Sequence, residues 1–315
     1  MKPLVSIVIP CYNAERYISA SLESALAQTW PHKEIILVND GSTDSSLVVA
    51  RTFEPKGVRI IDQPNMGAAS ARNAGLAASK GDFIQYLDAD DLLSSGKIAA
   101  QLEALDQSPP GGLASCAWGR FETDPADTSF IDSAVYRDFV AVDFLVLAGE
   151  TGAMMHPAAW LTPRHVALQA GPWDETLSVN DDGEYFCRVL LAGGASVHCK
   201  RGFVYYRSGN ESSLSHQRSD AARRSHYRSI QLVEAHLRAK EDSPRTRRAL
   251  ANSYQRFIYD YFPSPPELIA NAGMDVNRLG GSSLSTPAMG PKSAALSRLI
   301  GWRNTWRLKH WISGR

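Results

Sequence analysis

The stretch LVSIVIPCYN (4–13) decides the fold, because an apolar, β-branched run ends there in polar residues. A continuous apolar run of this length predicts a strand that is buried on both faces. Strands of this kind that alternate with helices form mostly parallel sheets, which helices cover on both sides. Three more such runs follow in the first hundred residues: KEIILVND (33–40), VRIIDQ (58–63) and DFIQYLD (82–88).

Helical patterns separate these strands. Apolar residues recur with helical spacing over 14–28, and Asn13 is a suitable N-cap for that helix. Ser42 or Thr43 can cap the helix that follows the second strand. The remaining spacing predicts helices over 44–52, 68–79 and roughly 95–105.

A polar cluster stands at the end of each predicted strand. In open α/β sheets, ligands bind beyond the carboxyl ends of the strands. The alternative is that these residues only form turns, since turn residues commonly follow strands. Four clusters share this edge of the sheet: PCYN (10–13), NDGSTD (39–44), NMG (65–67) and DADD (88–91).

The composition excludes several classes of protein. Lys+Arg and Asp+Glu are 33 each, which argues against a nucleic-acid binder. The four cysteines are scattered, which argues against a zinc site or a disulfide framework and indicates a reducing, cytoplasmic setting. The longest apolar window (138–149) contains Asp143 and is too short to span a bilayer.

The second half of the chain is less regular. PPGG (109–112) marks a break, after which the pattern predicts one clear helix over 184–194 and strands near 196–207. Two polar helices are predicted over 221–240 and 245–262. These changes divide the chain into three parts, 1–110, 111–217 and 218–315.

The C-terminal tail is basic and rich in tryptophan. No acidic residue follows Asp275. Basic and aromatic residues together suit an anionic membrane surface, so the tail predicts peripheral membrane contact. A basic helix that packs on the domain through its tryptophans is the alternative. The residues concerned are Arg278, Lys292, Arg298, Arg303, Arg307, Lys309, Arg315, Trp302, Trp306 and Trp311.

The DADD cluster places Asp88, Asp90 and Asp91 in one turn. Carboxylates this close repel one another unless a cation, a basic residue or solvent compensates them. Mg²⁺ and Mn²⁺ prefer a few carboxylate oxygens together with substrate phosphates. The cluster therefore predicts a divalent metal bound to a diphosphate, with a solvated acidic turn as the alternative.

Three further residues at this edge are suited to a nucleotide. Asp40 can accept from a nucleobase N–H or a ribose hydroxyl, and Gly41 lets the backbone approach closely. Arg72 can pair with a diphosphate or with the carboxylates. No P-loop is present, and the turn after the first strand lacks the glycines of a dinucleotide fingerprint.

The ordered set VSIVIPCYN, EIILVNDGSTD, NMGAASARNAGL and FIQYLDADD resembles glycosyltransferase family 2. AGPWDETLSVNDDGEYFCRV (170–189) is similar to a second signature of that family, so the resemblance covers about residues 3–210. It implies an α/β GT-A fold, which is a mostly parallel, Rossmann-like sheet flanked by helices, here with a C-terminal helical extension. It also implies a nucleotide-diphosphate sugar donor, Mn²⁺ or Mg²⁺, and inversion at the anomeric carbon.

The resemblance assigns roles to individual residues. Asp90 is expected to bind the metal and Asp91 to support it. The nucleotide pocket is expected to contain Pro10, Tyr12, Asn13, Asp40, Gly41, Arg72 and Asp88, with Tyr12 and Asp40 at the base, Arg72 near the base or diphosphate and Asp88 at the ribose.

The catalytic base is expected in NDDGEYF (180–186). Inversion in one displacement needs a carboxylate that takes the proton from the acceptor hydroxyl. Asp181 and Glu184 fit a capping box, which leaves Asp182 free for chemistry. Asp182 also matches the family's base, but the family usually has Glu-Asp where this chain has Asp-Asp. Both Asp181 and Asp182 therefore stay candidates.

Four more residues are candidates for the acceptor site or a lid. His156 and Trp160 are expected either to contact a sugar ring or to pack beneath the site. The segment YYRSGNESSLSH (205–216) resembles the family's flexible closing segment, so Arg207 or His216 is expected to reach the diphosphate or metal.

Together these observations predict a metal-dependent inverting glycosyltransferase. It moves one sugar, with a UDP-sugar favoured, to a hydroxyl of a glycan or lipid-linked saccharide in cell-surface polysaccharide synthesis. It is expected in the cytoplasm or at the inner face of the cell membrane, without a nucleic-acid partner. The alternatives are a non-catalytic nucleotide-sugar-binding protein and a nucleotidyltransferase.

Overall fold

The computed structural model describes residues 2–108, 111–209, 219–263, 265–286 and 291–312. Its first sheet has the strand order β3-β2-β1-β4-β9, and all neighbours are parallel except the last pair. These strands are β1 (Val5–Cys11), β2 (Lys33–Asp40), β3 (Val58–Gln63), β4 (Phe83–Tyr86) and β9 (Thr162–Pro163). The predicted mostly parallel α/β sheet is confirmed.

The helices of the first half pack against this sheet. All seven residues of β1 are buried, as its continuous apolar run predicts. The small residues of the helix after β3 allow it to lie directly on β1, where Gly75 faces Val8. The four helices of this part are α1 (Ile18–Leu26), α2 (Ser46–Arg51), α3 (Ala68–Ala78) and α4 (Lys97–Asp106).

Two predicted helix caps are wrong. Helix α1 begins at Ile18 after Tyr17, and α2 begins at Ser46 after Ser45. Asn13 instead has a φ of 49° and accepts from the Thr43 backbone N–H through its side chain. Ser42 Oγ accepts from the Asn13 backbone N–H. Because these side chains bond from loop to loop, they join the PCYN and NDGSTD clusters and cap neither helix.

A second, mixed sheet extends the first. Its strand order is β5-β10-β6-β7, and β8 also pairs with β10. The strands predicted near 196–207 form the single strand β10, which runs parallel to β6 with a register shift between Cys199 and Phe203. The strands are β5 (Leu92–Leu93), β6 (Leu113–Phe121), β7 (Ser129–Phe130), β8 (Phe139–Val140) and β10 (Ala195–Arg207).

The remaining helices form a layer beside the two sheets. Both predicted polar helices are present, and together with the helix after them they bury a separate apolar cluster around Tyr254 and Phe257. No helix in the described ranges has the length and apolar character needed to cross a bilayer. The helices are α5 (Ala141–Thr151), α6 (Arg164–Ala170), α7 (Asp181–Gly193), α8 (Asp220–Lys240), α9 (Pro244–Tyr261), α10 (Pro266–Arg278), α11 (Pro291–Ile300) and α12 (Trp302–Ile312).

The contact of α3 with β1 predicts the effect of Gly75→Ala. A Cβ at this position would lie 2.2 Å from Cγ1 of the fully buried Val8, so the helix must move away from the sheet. Overpacking of this kind costs about 1–3 kcal/mol of unfolding free energy. Urea unfolding of the purified protein measures the loss.

Gly273→Ala in α10 is the matched control. A Cβ there would meet nothing within 4 Å, so the substitution should leave stability unchanged or raise it by up to about 1 kcal/mol. Equal stability of the Gly75→Ala protein and the wild type would contradict the close packing of α3 on β1.

Candidate active site

One large cleft opens at the carboxyl ends of the parallel strands. Its volume is about 1050 Å³, and it continues between the sheets and helices α8 and α9. All four strand-end clusters contribute to its wall. Among the predicted site residues, it is lined by Pro10, Tyr12, Asn13, Asp40, Arg72, Asp88, Asp90, His156, Trp160, Asp181 and Asp182.

Asp40 fastens the loop after β3 to the end of β2. Its carboxylate accepts from the backbone N–H groups of Met66 (2.9 Å) and Gly67 (2.8 Å) and from Gln63 Nε2 (2.8 Å). Gly41, with a φ of 68°, lies against the same loop, because a Cβ there would be 2.6 Å from the backbone nitrogen of Asn65. Asp40 is buried by these contacts, and its contact with a nucleobase stays a prediction.

Arg72 joins the donor edge of the sheet to the start of α7. Its Nη2 donates to Asp88 Oδ1 at 2.9 Å, and its Nη1 donates to Asp181 Oδ2 at 3.0 Å. The guanidinium lies 4.5 Å from the centre of the Trp173 ring and is buried. Burial raises the pKa of Asp88, but the charges of Arg72 and His156, together with the hydrogen bond from Arg72, outweigh this and lower it. Arg72 therefore compensates the charge of both carboxylates in a partly buried position.

Among the described residues, Asp88, Asp91 and His156 form a group of side chains that could together bind a metal ion. One ligand atom from each lies within 4.8 Å of the others. His156 Nε2 is 3.0 Å from Asp91 Oδ2 and 3.8 Å from Asp88 Oδ2. Asp91 is 0% exposed, so burial raises its pKa, and its Oδ2 receives no well-aligned hydrogen bond from the described residues.

The ring nitrogens of His156 have fixed and different roles. Nδ1 accepts from the backbone N–H of Ala158 at 3.1 Å, so the proton of the neutral ring sits on Nε2. The side that faces Asp91 therefore carries an N–H rather than a metal-binding lone pair. His156 is buried against Tyr206 with ring centres 4.9 Å apart, which favours support of the acidic turn over the expected sugar contact.

Trp160 packs beneath the site, which is the alternative to sugar contact that the sequence left open. It is 2% exposed, with its ring stacked on Phe186 (5.8 Å between centres) and edge-on to Phe144 (5.5 Å). It is also one of the residues that line the cleft. Its burial favours packing beneath the site, and contact with a sugar stays a prediction.

Arg207 braces the acidic turn. Its Nε donates to the backbone carbonyl of Asp90 at 3.0 Å, and its backbone N–H donates to Asp91 Oδ1 at 2.8 Å. The guanidinium also lies over Tyr17 (4.7 Å) and Phe121 (4.4 Å). These contacts hold Arg207 on the turn, where it supports Asp90 and Asp91. Its contact with a diphosphate or metal stays a prediction. His216 lies outside the described residues.

The predicted capping box at the start of α7 is wrong. The N-cap residue is Asn180, with a φ of 59°, and no side chain caps the helix. Glu184 Oε1 instead accepts from Arg188 Nε at 2.6 Å, while Asp181 pairs with Arg72. A long-range ion pair thus took Asp181, and an ion pair within α7, four residues further on, took Glu184.

Asp182 has no comparable ionic partner among the described residues. Its Oδ1 accepts from the adjacent Gly183 N–H at 2.9 Å, and the side chain lines the cleft. Burial and the neighbouring charge of Asp181 raise the pKa of Asp182 to about 6, against the opposing effect of Arg72. The two adjacent aspartates therefore differ: Asp181 is paired with Arg72, whereas Asp182 has a raised pKa of about 6.

Helices α8 and α9 form a wall of the cleft that the sequence did not reveal. His226, Phe257, Asp260 and Tyr261 line it. Arg256 fastens this wall by donating to the carbonyls of Gly149 and Glu150, both at 2.7 Å. No local pattern signals these contacts, because they join segments about a hundred residues apart.

Comparisons with known proteins agree with this geometry. The family model described as "Glycosyl transferase family 2" matches residues 6–148. An uncharacterized glycosyltransferase from Haemophilus influenzae is 40% identical over 109 residues, which are 34% of this chain and 44% of that protein. The putative teichuronic acid biosynthesis glycosyltransferase TuaG from Bacillus subtilis is 41% identical over 105 residues, 32% of this chain and 42% of TuaG. The chain thus spans less than half the length of these relatives.

Solved structures match nearly the whole chain. Residues 1–349 of S. aureus TarS, in complex with UDP-GlcNAc, superpose with a TM-score of 0.70 at 15% identity, covering 99% of this chain and 92% of that one. Mannosyltransferase PcManGT from Pyrobaculum calidifontis, in complex with GDP-Man and Mn²⁺, gives a TM-score of 0.56 at 17% identity over 97% and 85% of the two chains. At these identities the likeness establishes the fold. Residues 6–148 thus match the model of glycosyltransferase family 2, and the chain has the GT-A fold.

Proposed function

We propose that this protein is a metal-dependent inverting glycosyltransferase. It transfers one sugar from a nucleotide-diphosphate donor, a UDP-sugar, to a hydroxyl group of a glycan or lipid-linked saccharide. The observation that carries the proposal is that carboxylates from both halves of the domain line one cleft. Asp88 and Asp90 follow β4, and Asp182 lies at the start of α7. This arrangement supports a donor site and a proton acceptor that share one cleft.

Asp182 is proposed as the general base. Arg72 compensates the charge of Asp181 in an ion pair, whereas Asp182 lines the cleft with a pKa raised to about 6. A carboxylate with this pKa is ionised at pH 7 and remains basic enough to take a proton from an attacking hydroxyl. Asp181 is proposed to position α7 through Arg72.

The acidic turn suits a divalent cation. Three carboxylates crowd just after β4, and two of them, Asp88 and Asp90, line the cleft. Hard oxygen ligands of this kind fit Mg²⁺ or Mn²⁺. Asp90, with Asp88 beside it, would hold the ion, while Asp91, His156 and Arg207 keep the turn in place. When bound, the metal neutralises charge on the leaving diphosphate.

The nucleotide is proposed to lie along the ends of β1 and β2. Pro10, Tyr12 and Asn13 form one side, and Tyr12 is 50% exposed, which leaves its ring accessible to a base. Asp40 and Gly41 shape the other side through the loop after β3. The UDP-GlcNAc bound by TarS in a similar fold supports a UDP-sugar as donor.

Cell-surface polysaccharide synthesis is the proposed setting, in the cytoplasm where a nucleotide-sugar donor would be supplied. It is supported by the name of TuaG, a putative teichuronic acid biosynthesis glycosyltransferase.

Asp182→Asn tests the base. The amide cannot accept the acceptor proton, so sugar transfer should fall by roughly 10²–10⁴-fold, while calorimetric binding of UDP with Mn²⁺ stays unchanged. In the wild type, kcat/KM should fall about tenfold per pH unit below a pH of about 6, because the protonated carboxyl is inactive. Transfer is measured by product formation with UDP-sugars.

Asp181→Asn is the matched comparison at the adjacent position. It removes the same charge but leaves the proposed base, so it should lower transfer less and keep an acidic limb in the pH profile. If Asp181→Asn abolished transfer while Asp182→Asn retained it near the wild-type rate, the assignment of the two residues would be reversed.

Asp90→Ala tests the metal. When Mn²⁺ is present, the affinity for UDP should fall roughly 10-fold or more, because altering a metal site causes losses of this size. When a chelator is present, the affinity should not change. Isothermal titration calorimetry with and without Mn²⁺ gives both values.

Asp106→Ala, at an exposed position in α4, is the control and should bind UDP like the wild type. Unchanged Mn²⁺-dependent affinity in Asp90→Ala would rule out Asp90 as the ligand. The product separates the reaction classes, since a glycosyltransferase releases UDP whereas a nucleotidyltransferase releases pyrophosphate from a nucleoside triphosphate.

A further inference from the structure

Helix α12 is anchored to the end of α9 by its tryptophans. The Trp302 ring lies 5.0 Å from that of Tyr259 and 5.1 Å from that of Phe262, and the Trp306 ring lies 5.4 Å from that of Phe262. Gly301, with a φ of 78°, makes the turn between α11 and α12. The two helices therefore form a hairpin held on the domain through one face of α12.

Another part of this hairpin exposes apolar side chains to solvent. Leu299 is 84% exposed, Ile300 is 40% exposed and Leu308 is 36% exposed. Leu299 and Ile300 end α11 directly before the turn. Trp302 and Trp306 are partly buried against α9, but the exposed leucines and isoleucine gain nothing from water, so these side chains indicate a partner.

Basic side chains stand beside the exposed apolar ones. Arg303 and Arg307 are exposed, and each guanidinium lies 5.6–5.8 Å from the Phe262 ring. Within the described ranges, no carboxylate lies within 4.0 Å of either guanidinium, and the sequence has no acidic residue after Asp275. The positive charge of the hairpin is therefore uncompensated by its own segment.

The hairpin also lies close to the far end of the active-site cleft. Asp260 and Tyr261 at the end of α9 line the cleft, while their neighbours Tyr259 and Phe262 hold α12. The residues that line the cleft and the residues that hold α12 thus lie within the same four positions, 259–262.

We propose that this tail surface, formed by Leu299, Ile300, Arg303, Arg307 and Leu308, docks on an anionic lipid bilayer. Apolar side chains enter the acyl boundary, while arginines next to aromatic rings reach the lipid phosphates. Exposed leucine and isoleucine favour a bilayer over nucleic acid, because nucleic acid offers phosphates without an apolar layer.

Docking would bring the cleft to the membrane surface. This step rests on the proposed function: an acceptor saccharide carried on a membrane lipid would then enter the cleft from the side of α9. The acceptor class favoured by the tail surface is therefore the lipid-linked saccharide rather than a free soluble glycan.

Co-flotation of the purified full chain with vesicles tests the docking. Binding is expected to equimolar phosphatidylglycerol–phosphatidylcholine vesicles at low salt, with much less binding to phosphatidylcholine alone and weakening as salt increases. Arg303→Glu/Arg307→Glu should lower the partition coefficient by roughly tenfold or more. Leu299→Ser leaves the net charge unchanged. It should lower the partition coefficient several-fold, because one leucine side chain no longer enters the lipid.

Lys80→Glu/Lys200→Glu is the matched control, since it makes the same change in net charge at exposed positions away from the hairpin. It should bind vesicles nearly as well as the wild type. Three results would each overturn the proposal. The first is that the Arg303→Glu/Arg307→Glu and Leu299→Ser proteins bind vesicles as well as the wild type does, and the second is that the wild type does not bind anionic vesicles. The third is that the wild type forms a concentration-dependent dimer that these variants lose. Circular dichroism establishes that every variant is folded.

Donor turnover in solution separates this inference from the proposed function. UDP release with Mn²⁺ and without vesicles should be the same in the tail variants and the wild type, because the tail surface is outside the catalytic cleft. Vesicle binding without any UDP release would support docking and reject the enzyme assignment, whereas UDP release without vesicle binding would reject docking alone.

Discussion

The buried ion pairs of Arg72 are the constraint on which the site depends. One guanidinium between Asp88 and Asp181 holds the end of a central strand to the start of α7. A buried charge that loses its partner destabilises a protein by about 3–5 kcal/mol, so these three side chains keep one another in place. The Trp173 ring covers the group and keeps water away from it. The end of β4 and the start of α7 are thereby held at a fixed separation.

The same arginine distinguishes two adjacent aspartates. Both Asp181 and Asp182 line the cleft, but only Asp181 is paired with Arg72. A different division applies at the acidic turn, where Asp91 is buried against His156 while Asp88 and Asp90 line the cleft. Clusters of like charge are tolerated because each member has a separate environment.

The sequence predicted the parts of this protein that depend on local patterns. Strand β1, helix α3 and the position of the DADD turn follow from apolar runs and small residues, as do α8 and α9 as helices. Long-range contacts decided the rest. Asn13 and Asp181 resemble caps by spacing, but Thr43 and Arg72 took their side chains. His156 and Trp160 fit a sugar site by type, whereas burial against residues far along the chain gave them supporting positions.

The side-chain bonds between the strand-end loops have a consequence for ligand binding. Asn13 with Thr43, Ser46 with Ala14, and Asp40 with Met66 and Gly67 fix three loops before any ligand arrives. The conformational entropy of these loops is therefore lost during folding and not during association. A nucleotide would meet a preorganised surface, so its affinity would reflect its own contacts with little loss to loop ordering. Loosening any one of these bonds would weaken binding without removing a single ligand contact.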